Sequence, residues 1–375
     1  MKTLKDMDLK NKRVVLRCDF NVPVDNGKVV DNSKLINSLK TINYLLDNNC
    51  SVCILSHLGR VKTNEDKLKN SLKVVAHELS NNLKKEVKFI NNCYGEEVKK
   101  LVLNNELGSV IVLENTRWMD YPEKLESNND INLSKYFASL GDVFVNDAFG
   151  SLHRAHASTA GIAKFIPSCI GFLVEDELSN LDVIIKNTPR PFTVFMGGAK
   201  VDDKLPIIKS LLPKCDYLLL GGGIANSFLK AKGADVGSSL VTHDELIINE
   251  LKELLSKYKE KIILPIDFII DDDAIYDIGM KTLELYKSYI VRSSIIFVNG
   301  TSGKFEDERF TEGTSGLFEI LKNSGKEVIV GGGDTVSALK LFGYKDTFKF
   351  ASTGGGATLE YIANGKLDAL DWIGK

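Results

Sequence analysis

The sequence has little of what marks membrane, secreted or nucleic-acid-binding proteins. Only six of its 375 residues are cysteine, and the net charge is −2. No apolar run approaches the roughly 20 residues that a membrane-spanning helix needs. The polar residues 1–13 lack the apolar centre of a signal peptide. These features disfavour a disulfide framework, a membrane span and a general nucleic-acid binder, so we expect a cytoplasmic protein.

The cysteines give little sign of chemistry. Cys50 and Cys53 have the spacing of a redox pair, but they lie at the start of an apolar, strand-like run. We expect buried or idle thiols, with a redox or metal-binding role as the alternative.

Arginine is scarce, with eight residues against forty lysines. Lysine is therefore the default cation of this chain. An arginine placed where lysine would serve solubility equally well indicates a need for its planar fork, which binds carboxylate or phosphate through two hydrogen bonds.

Short apolar runs alternate with polar or glycine-rich turns and amphipathic stretches along the whole chain. Such runs are typical of strands buried on both faces of a parallel sheet that is covered by helices. The pattern predicts an α/β protein with two doubly wound, Rossmann-like parallel-sheet domains joined by a linker helix and hinge. The predicted strands are RVVLRC, SVCILS, SVIVLE, DVFVND, FTVFMG, DYLLLG, KIILPI, SIIFVN, EVIVGG and FKFAST.

The break between the domains is predicted near residues 165–190. We expect a first domain over 1–170, a linking helix over 171–187 and a second domain over 188–375. The last residues of the chain could return to the first domain.

The first half carries charge after its strands, where open α/β sheets bind ligands. A single arginine there is usually a solvated rim residue, but three after three different strands predict a site for a small, highly charged anion. His153 and His156 also have metal-ligand spacing, although no further ligand supports that alternative. The residues concerned are Asp19, Asn21, His57, Arg60, Arg117, Asp147, His153, Arg154 and His156.

The second half carries glycine at the corresponding positions. Glycine lets the backbone approach phosphate closely, and five such turns predict a nucleotide site. Asp334 is a natural Mg²⁺ partner there, and Lys200 and Lys204 are candidate phosphate ligands, although either lysine alone would be ordinary surface. Walker, dinucleotide and protein-kinase motifs are absent. The turns lie at 197–200, 221–223, 299–303, 331–334 and 353–356.

Eight segments resemble, in order, the motifs of the phosphoglycerate kinase family. They are RCDFNVP at 17–23, SHLGR at 56–60, LENTR at 113–117, VNDAFGSLHRAHAS at 145–158, GGAKVDDK at 197–204, GGGIANSFL at 221–229, GGGDT at 331–335 and STGGGATLE at 352–360.

The resemblance implies a glycolytic transferase. Such a kinase moves a phosphoryl group reversibly between ATP and the carboxylate of 3-phosphoglycerate, giving ADP and 1,3-bisphosphoglycerate, with Mg²⁺. It implies a cytoplasmic monomer that closes about a hinge, with 3-phosphoglycerate on the first domain and nucleotide on the second. The alternatives are a catalytically weak paralogue with a regulatory role and a dinucleotide-dependent oxidoreductase, which shares the sheet pattern but lacks the fingerprint glycines.

The resemblance also assigns residues to roles. The acceptor site is expected to contain Asp19, Phe20, Asn21, Lys34, His57, Leu58, Gly59, Arg60, Arg117 and Arg154. The nucleotide site is expected to contain Lys200, Lys204, Gly221, Asn299, Glu306 on the ribose, Gly332, Gly333, Asp334 at Mg²⁺ and Thr335. The groups acting on the transferred phosphoryl are expected to be Lys34, Lys200, Lys204, Gly354, Gly355 and Gly356.

Four positions depart from the family pattern. Lys34 stands where the family usually has arginine, Ile275 stands in place of a glycine near the adenine, and Thr301-Ser302 replaces a Pro-Met pair. These changes bear on rate and nucleotide preference and leave the predicted fold intact.

Overall fold

A computed structural model describes residues 1–374, which divide into two compact units. Unit 1 comprises Met1–Ser179 together with the C-terminal stretch that begins at Lys366, and unit 2 comprises Asn180–Gly365. Each unit contains its own six-stranded parallel sheet. The prediction of two parallel-sheet α/β domains is confirmed.

Unit 1 is built on a sheet with the strand order β5-β6-β4-β1-β7-β8, all pairs being parallel. A separate antiparallel pair joins β2 and β3. The strands are β1 Arg13–Cys18, β2 Val24–Asp25, β3 Lys28–Val29, β4 Ser51–Leu55, β5 Val87–Ile90, β6 Val110–Leu113, β7 Val143–Asp147 and β8 Ser168–Ile170. The helices are α1 Ser33–Asp47, α2 Asn64–Lys69, α3 Lys73–Leu83, α4 Glu96–Leu103, α5 Ile131–Ala138 and α6 Phe172–Ile185, the last of which contains the boundary between the units.

Unit 2 repeats this plan with the strand order β11-β10-β9-β14-β15-β16, again parallel throughout. Strands β12 and β13 form an antiparallel pair outside the sheet. The strands are β9 Phe192–Met196, β10 Tyr217–Leu220, β11 Ile262–Ile263, β12 Phe268–Asp271, β13 Ala274–Ile278, β14 Ile295–Asn299, β15 Glu327–Gly331 and β16 Phe350–Ala351. The helices are α7 Leu205–Leu211, α8 Gly222–Lys232, α9 Glu245–Lys257, α10 Met280–Ile290, α11 Glu312–Asn323, α12 Gly333–Leu341 and α13 Gly356–Asn364.

The central strands explain why the apolar runs are unbroken. Every residue of β4, β6, β7, β9 and β14 is buried, because helices following each strand cover the parallel sheets. Where a strand ends, the chain leaves this apolar layer, so polar and glycine residues become possible.

One amphipathic stretch, over residues 67–83, contains a break between helices. Helix α2 ends before Asn70 and α3 begins at Lys73. The Asn70 amide donates to the carbonyl of Arg60, and the backbone N–H of Leu72 donates to Glu114 at 2.8 Å. These local bonds replace helix bonds and end α2 where hydrophobic periodicity alone would continue it.

All six cysteines are buried and free. Burial raises the pKa of the Cys53 thiol to about 12, which keeps the reactive thiolate form scarce at neutral pH. In the part of the chain that the structure describes, no helix is long and apolar enough to cross a membrane.

Candidate active site

The charged residues of unit 1 follow four strands that are neighbours in its sheet. The order β6-β4-β1-β7 puts the carboxyl ends of these strands side by side at one edge. Arg117, His57, Asp19 and Arg154 come after these strands in turn. The topology therefore gathers residues that are far apart in sequence into one cluster, which we call the basic cluster.

Asp19 is the acidic member of this cluster and is paired with a cation. Its carboxylate lies 2.9 Å from the Lys34 ammonium and also accepts the backbone N–H of Asn21. Burial opposes ionisation of Asp19, but the positive charges of Lys34 and Arg17 outweigh it and lower the pKa of the carboxyl. Asp19 is therefore a charged anchor that orients Lys34.

Arg117 is held in a fixed orientation by unit 1 itself. It lies in a 3₁₀ helix, Thr116–Asp120, whose N-terminus is capped by the Asn115 side chain. The Arg117 guanidinium donates to Asp120 at 3.0 Å and to the Ser127 hydroxyl at 3.2 Å. Part of its fork is thus used for positioning, and sequence reasoning missed Asp120 although its i,i+3 spacing from Arg117 was visible.

Other predicted acceptor residues form the frame of the cluster. Phe20 and Leu58 are buried in the hydrophobic core, so only their backbone is near the strand ends. The Asn21 side chain accepts the N–H of Gly59 at 2.9 Å, and Gly59 has a positive φ of +59° that suits glycine. Arg60 and Arg154 have exposed side chains.

His57 makes a contact that was not predicted from the sequence. Its Nδ1 lies 3.0 Å from the guanidinium of Arg17, which is 1% exposed inside β1. An arginine within a buried parallel strand is itself unusual and is the signal that would have identified Arg17.

The metal alternative for His153 and His156 gains no support. Burial, together with the positive charges of Arg117 and Arg17, lowers the pKa of His156 to about 3. Within residues 1–374 no group of three His, Cys, Asp or Glu side chains is arranged to hold a metal ion.

The glycine turns of unit 2 also follow adjacent strands. In the order β10-β9-β14-β15-β16, each strand is followed directly by a glycine turn or by the 353–356 loop. Backbone amides are therefore concentrated at one edge of this sheet, where anions bind well.

A cavity of about 390 Å³ opens at this edge. The predicted residues Glu306 and Asp334 line it, and so do the three departures from the family pattern in unit 2, Ile275, Thr301 and Ser302. The other walls include Gly198, Ala199, Gly222, Gly223, Asn226, Leu240, Tyr276 and Gly303. This mixture of apolar walls and backbone polar groups is typical of a cofactor or nucleotide site.

Two glycines in the wall of the cavity cannot carry a side chain. Gly222 has φ +59°, and a Cβ there would lie 2.8 Å from the Gly198 carbonyl oxygen. A Cβ on Gly223 would lie 2.1 Å from the Ala199 carbonyl oxygen. The start of α8 therefore packs against the 197–200 turn at a distance that only glycine allows.

The two predicted lysines have different environments. Lys204 donates to the Gly197 carbonyl at 2.8 Å, and burial lowers its pKa to about 8 while Asp334 and Asp203 raise it. Lys200 is exposed and lines a second cavity of about 360 Å³, which shares Ala199 with the first.

Asn299 and Thr335 are buried and connect two of the glycine turns. Asn299 donates to the Gly331 carbonyl at 2.7 Å, and Thr335 accepts the N–H of Gly300 at 2.6 Å. Gly332 has φ +101° at the N-cap of α12, so the bend before this helix depends on it. These bonds hold the turns after β14 and β15 in fixed positions relative to each other.

The loop before α13 is open. Nothing lies within 4 Å of a Cβ placed on Gly355 or Gly356, and Gly355 caps the helix with a positive φ of +54°. The N–H of Ala357 already donates to the Gly354 carbonyl at 3.0 Å, but the first amides of a helix have no partner within the helix, so the start of α13 can bind an anion.

A buried carboxylate supports the wall formed by Thr301 and Ser302. Asp277 accepts the Ser302 hydroxyl at 2.9 Å and the N–H of Gly313 at 2.7 Å. Burial raises the pKa of Asp277 to about 6, although both bonds favour the charged form. Ser302 also contacts Thr314, so this chain ties its altered loop to α11 through polar contacts.

Cations at the strand ends of one unit and glycine amides at those of the other define a nucleotide-dependent phosphotransferase with two α/β domains. The chain matches the family model described as phosphoglycerate kinase over residues 4–366. It belongs to the phosphoglycerate kinase family.

Similar proteins match over nearly their whole lengths. The chain is 44% identical to the phosphoglycerate kinase of Fusobacterium nucleatum, covering 99% of each chain. It is also 44% identical to that of Mycoplasma genitalium, covering 100% of this chain and 98% of the relative. The structure of phosphoglycerate kinase from Coxiella burnetii matches with a TM-score of 0.86 and 34% identity, covering 99% of this chain and 98% of that one.

Proposed function

We propose that this chain transfers a phosphoryl group reversibly between ATP and the carboxylate of 3-phosphoglycerate, giving ADP and 1,3-bisphosphoglycerate. The observation that carries the proposal is the division of chemistry between the units. Arginines follow β6, β4 and β7 of unit 1, whereas glycine turns follow five adjacent strands of unit 2. A small polyanion suits the first set and a nucleotide suits the second.

The acceptor is already an anion at neutral pH, so it needs no general base. Catalysis then consists of positioning and of stabilising charge on the transferred group. Arg117, Arg60 and Arg154 would hold the phosphorylated acid, and Arg117 starts from an orientation fixed by Asp120. Lys34 would reach the transferred phosphoryl from its place beside Asp19.

The nucleotide would occupy the cavity of about 390 Å³ in unit 2. Glu306 would bind the ribose, and Lys204 and Lys200 would bind phosphate oxygens. The amides at the start of α13, beginning with Gly356, would donate to the transferred group.

The residues present fit a Mg²⁺ ion that is held mainly by the nucleotide. Asp334 is an exposed carboxylate in the cavity wall, and such ions use one or two carboxylates together with phosphates. When bound, Mg²⁺ supplies a counter-charge to the phosphate oxygens. Asp334 would orient the ion. The negative charge of Asp334 also favours the protonated form of Lys204.

We further propose a cytoplasmic monomer whose units close on each other during turnover. Acceptor and nucleotide are assigned to different units, and closure of the units would bring the reacting oxygen and phosphorus together. Small-angle scattering should show a smaller radius of gyration with both substrates than with either alone. An unchanged radius in the ternary complex would exclude closure.

A substrate comparison tests the function itself. Turnover of ATP should be rapid with 3-phosphoglycerate and far slower with glycerate, which has the carboxylate but lacks the phosphate for the basic cluster. Equal rates with the two acids would contradict the assignment of the basic cluster to the phosphate group.

A further inference from the structure

A buried chain of polar contacts lies beneath His57 in unit 1. The guanidinium of Arg17 donates from Nε to the Ser158 hydroxyl at 3.0 Å and from Nη1 to the carbonyl of Cys18. Its third contact, from Nη2, is to Nδ1 of His57 at 3.0 Å. All three edges of the guanidinium fork are therefore occupied, which leaves Arg17 little freedom.

The far end of the chain is a buried carboxylate. Glu126 is 0% exposed and accepts both the N–H of Ser158, at 3.0 Å, and its hydroxyl. Ser158 thus bridges the buried cation and the buried anion. In an interior of low dielectric, this opposite charge is what permits Arg17 to remain ionised.

The contact with Arg17 decides which nitrogen of His57 carries the proton. A guanidinium has only donors and no acceptor. Nδ1 must therefore present its lone pair, because a proton there would place two N–H groups against each other. The imidazole is left with its proton on Nε2, for which no hydrogen-bond partner exists among residues 1–374.

The charges around His57 act in the same direction. Burial lowers its pKa well below the usual range, and Arg17, Arg117 and Lys34 lower it further. The carboxylate of Asp19 opposes them. These groups come from β1, the segment after it, α1 and the 3₁₀ helix after β6, and together they keep the ring neutral.

We propose that Arg17 is a positioning residue that holds His57 in the tautomer protonated on Nε2, so that His57 serves the anion site as a hydrogen-bond donor. His57 then contributes neither a positive charge nor a proton acceptor. The identity of the bound anion rests on the proposed function, whereas the tautomer belongs to the protein alone.

Nitrogen-15 NMR of the full chain, labelled at histidine and free of ligand, tests the proposal. In the wild type we expect an unprotonated Nδ1 and a protonated Nε2 for His57, unchanged from mildly alkaline to mildly acidic pH. The double variant Arg17→Met, Glu126→Gln removes both buried charges together and so avoids leaving an unpaired carboxylate. It should show mixed tautomers and a His57 signal that titrates.

Two comparisons separate positioning from a general effect on folding. Arg17→Lys keeps a buried donor and should restore the single tautomer, and the signals of His77 and His243 should be the same in all three proteins. A wild-type Nδ1 that carries a proton would overturn the proposal. A double variant that keeps the single tautomer without titrating would overturn it equally.

Kinetics give a second readout. As the pH falls, His57 of the double variant gains a charge, so its KM for 3-phosphoglycerate should fall several-fold relative to that of the wild type. The phosphate of the substrate titrates equally with both proteins and cancels in the ratio. An absence of activity with 3-phosphoglycerate would contradict the proposed function but leave the NMR result decisive for the tautomer.

Discussion

The ammonium of Lys34 lies 2.9 Å from the carboxylate of Asp19, with the lysine partly exposed and the aspartate nearly buried. Lys34 lies in the first turn of α1, whereas Asp19 follows β1. The pair therefore ties the start of the helix to the end of the strand and aims a single compact charge into the basic cluster.

Replacing Lys34 by arginine tests how much transition-state binding is lost by having a compact ammonium in place of a guanidinium. A guanidinium can hold two oxygens of a transferred phosphoryl, whereas an ammonium is a flexible point charge. We expect Lys34→Arg to raise kcat several-fold with little change in either KM, a gain of about 1 kcal/mol in transition-state binding. Steady-state kinetics measures this, with Lys10→Arg at an exposed position as the control.

Removal of the Lys34 charge should lower activity. Lys34→Ala leaves Asp19 without its ion-pair partner and should abolish most activity. A Lys34→Arg enzyme slower than the wild type would instead indicate a site rebuilt around lysine, and full activity in Lys34→Ala would place Lys34 outside the reaction.

Arg117 should distinguish the two substrates. Arg117→Ala removes a planar donor from the basic cluster, so the KM for 3-phosphoglycerate should rise at least tenfold, about 1.4 kcal/mol, while that for ATP changes little. Asp120→Asn keeps the guanidinium but weakens its anchor at 3.0 Å, so it should produce a smaller rise.

The control for Arg117 is Arg292→Ala, an exposed arginine of unit 2 outside the residues that line the nucleotide cavity. It should leave both KM values unchanged. Equal increases in both KM values for Arg117→Ala would argue against an acceptor role.

Asp334 should govern both metal-nucleotide affinity and the alkaline limit of activity. The pKa of Lys204 is about 8, and Asp334 helps to keep it from falling further. Activity of the wild type should therefore decline as the pH rises through about 8. Asp334→Asn should move that decline to lower pH, because the neutral amide no longer favours the ammonium form.

Titration calorimetry should also show weaker binding of Mg·ATP to Asp334→Asn, with binding of 3-phosphoglycerate intact. The exposed carboxylate of Asp346 supplies the matched control, Asp346→Asn. Wild-type affinity for Mg·ATP in the Asp334 variant would refute the assignment.

Asp277 should make the stability of unit 2 depend on pH. Burial raises its pKa to about 6 from the ordinary value of 3.8, so the native state holds this proton more tightly than the unfolded state. The stabilisation is complete below the unfolded pKa and is lost as the pH rises through about 6, a change of up to about 3 kcal/mol.

Denaturant unfolding over this pH range measures the effect. Asp277→Asn should be less stable overall, since its amide faces the N–H of Gly313, but its stability should decline less as the pH rises. Taking the difference from the wild type cancels the titration of other groups. Parallel pH dependence in the two proteins would show that Asp277 does not titrate there.

The central strands were predictable because burial on both faces requires unbroken apolar runs. All ten predicted runs contain strands of the two sheets. The sheet strands that the pattern missed, β5 and β8, lie at the two edges of the unit 1 sheet. Strand β5 is only partly buried and contains Lys88, and β8 is three residues long, so neither produces a continuous apolar signal.

The residues that support the site were harder to predict than those that line it. Glycine turns and arginines after strands stand out in the sequence, whereas Glu126 lies in a loop with nothing to mark it and Ser158 is only the last residue of the 145–158 segment. Their roles depend on the arrangement around Arg17. Ser158 is separated from Arg17 by 141 positions in the sequence, so only the fold brings the two residues together. Likewise, the polar ties of Ser302 to Asp277 require the β14 loop to meet β13.

The most direct test of the central claim is to identify the bond that forms. Transfer to a carboxylate gives an acyl phosphate, which hydroxylamine converts to a hydroxamate, whereas transfer to a hydroxyl gives a phosphate ester that hydroxylamine leaves intact. Incubating the protein with Mg·ATP, 3-phosphoglycerate and hydroxylamine should yield one hydroxamate for each ADP, and omission of 3-phosphoglycerate should yield none. ADP without hydroxamate, or binding of both ligands without turnover, would contradict the account.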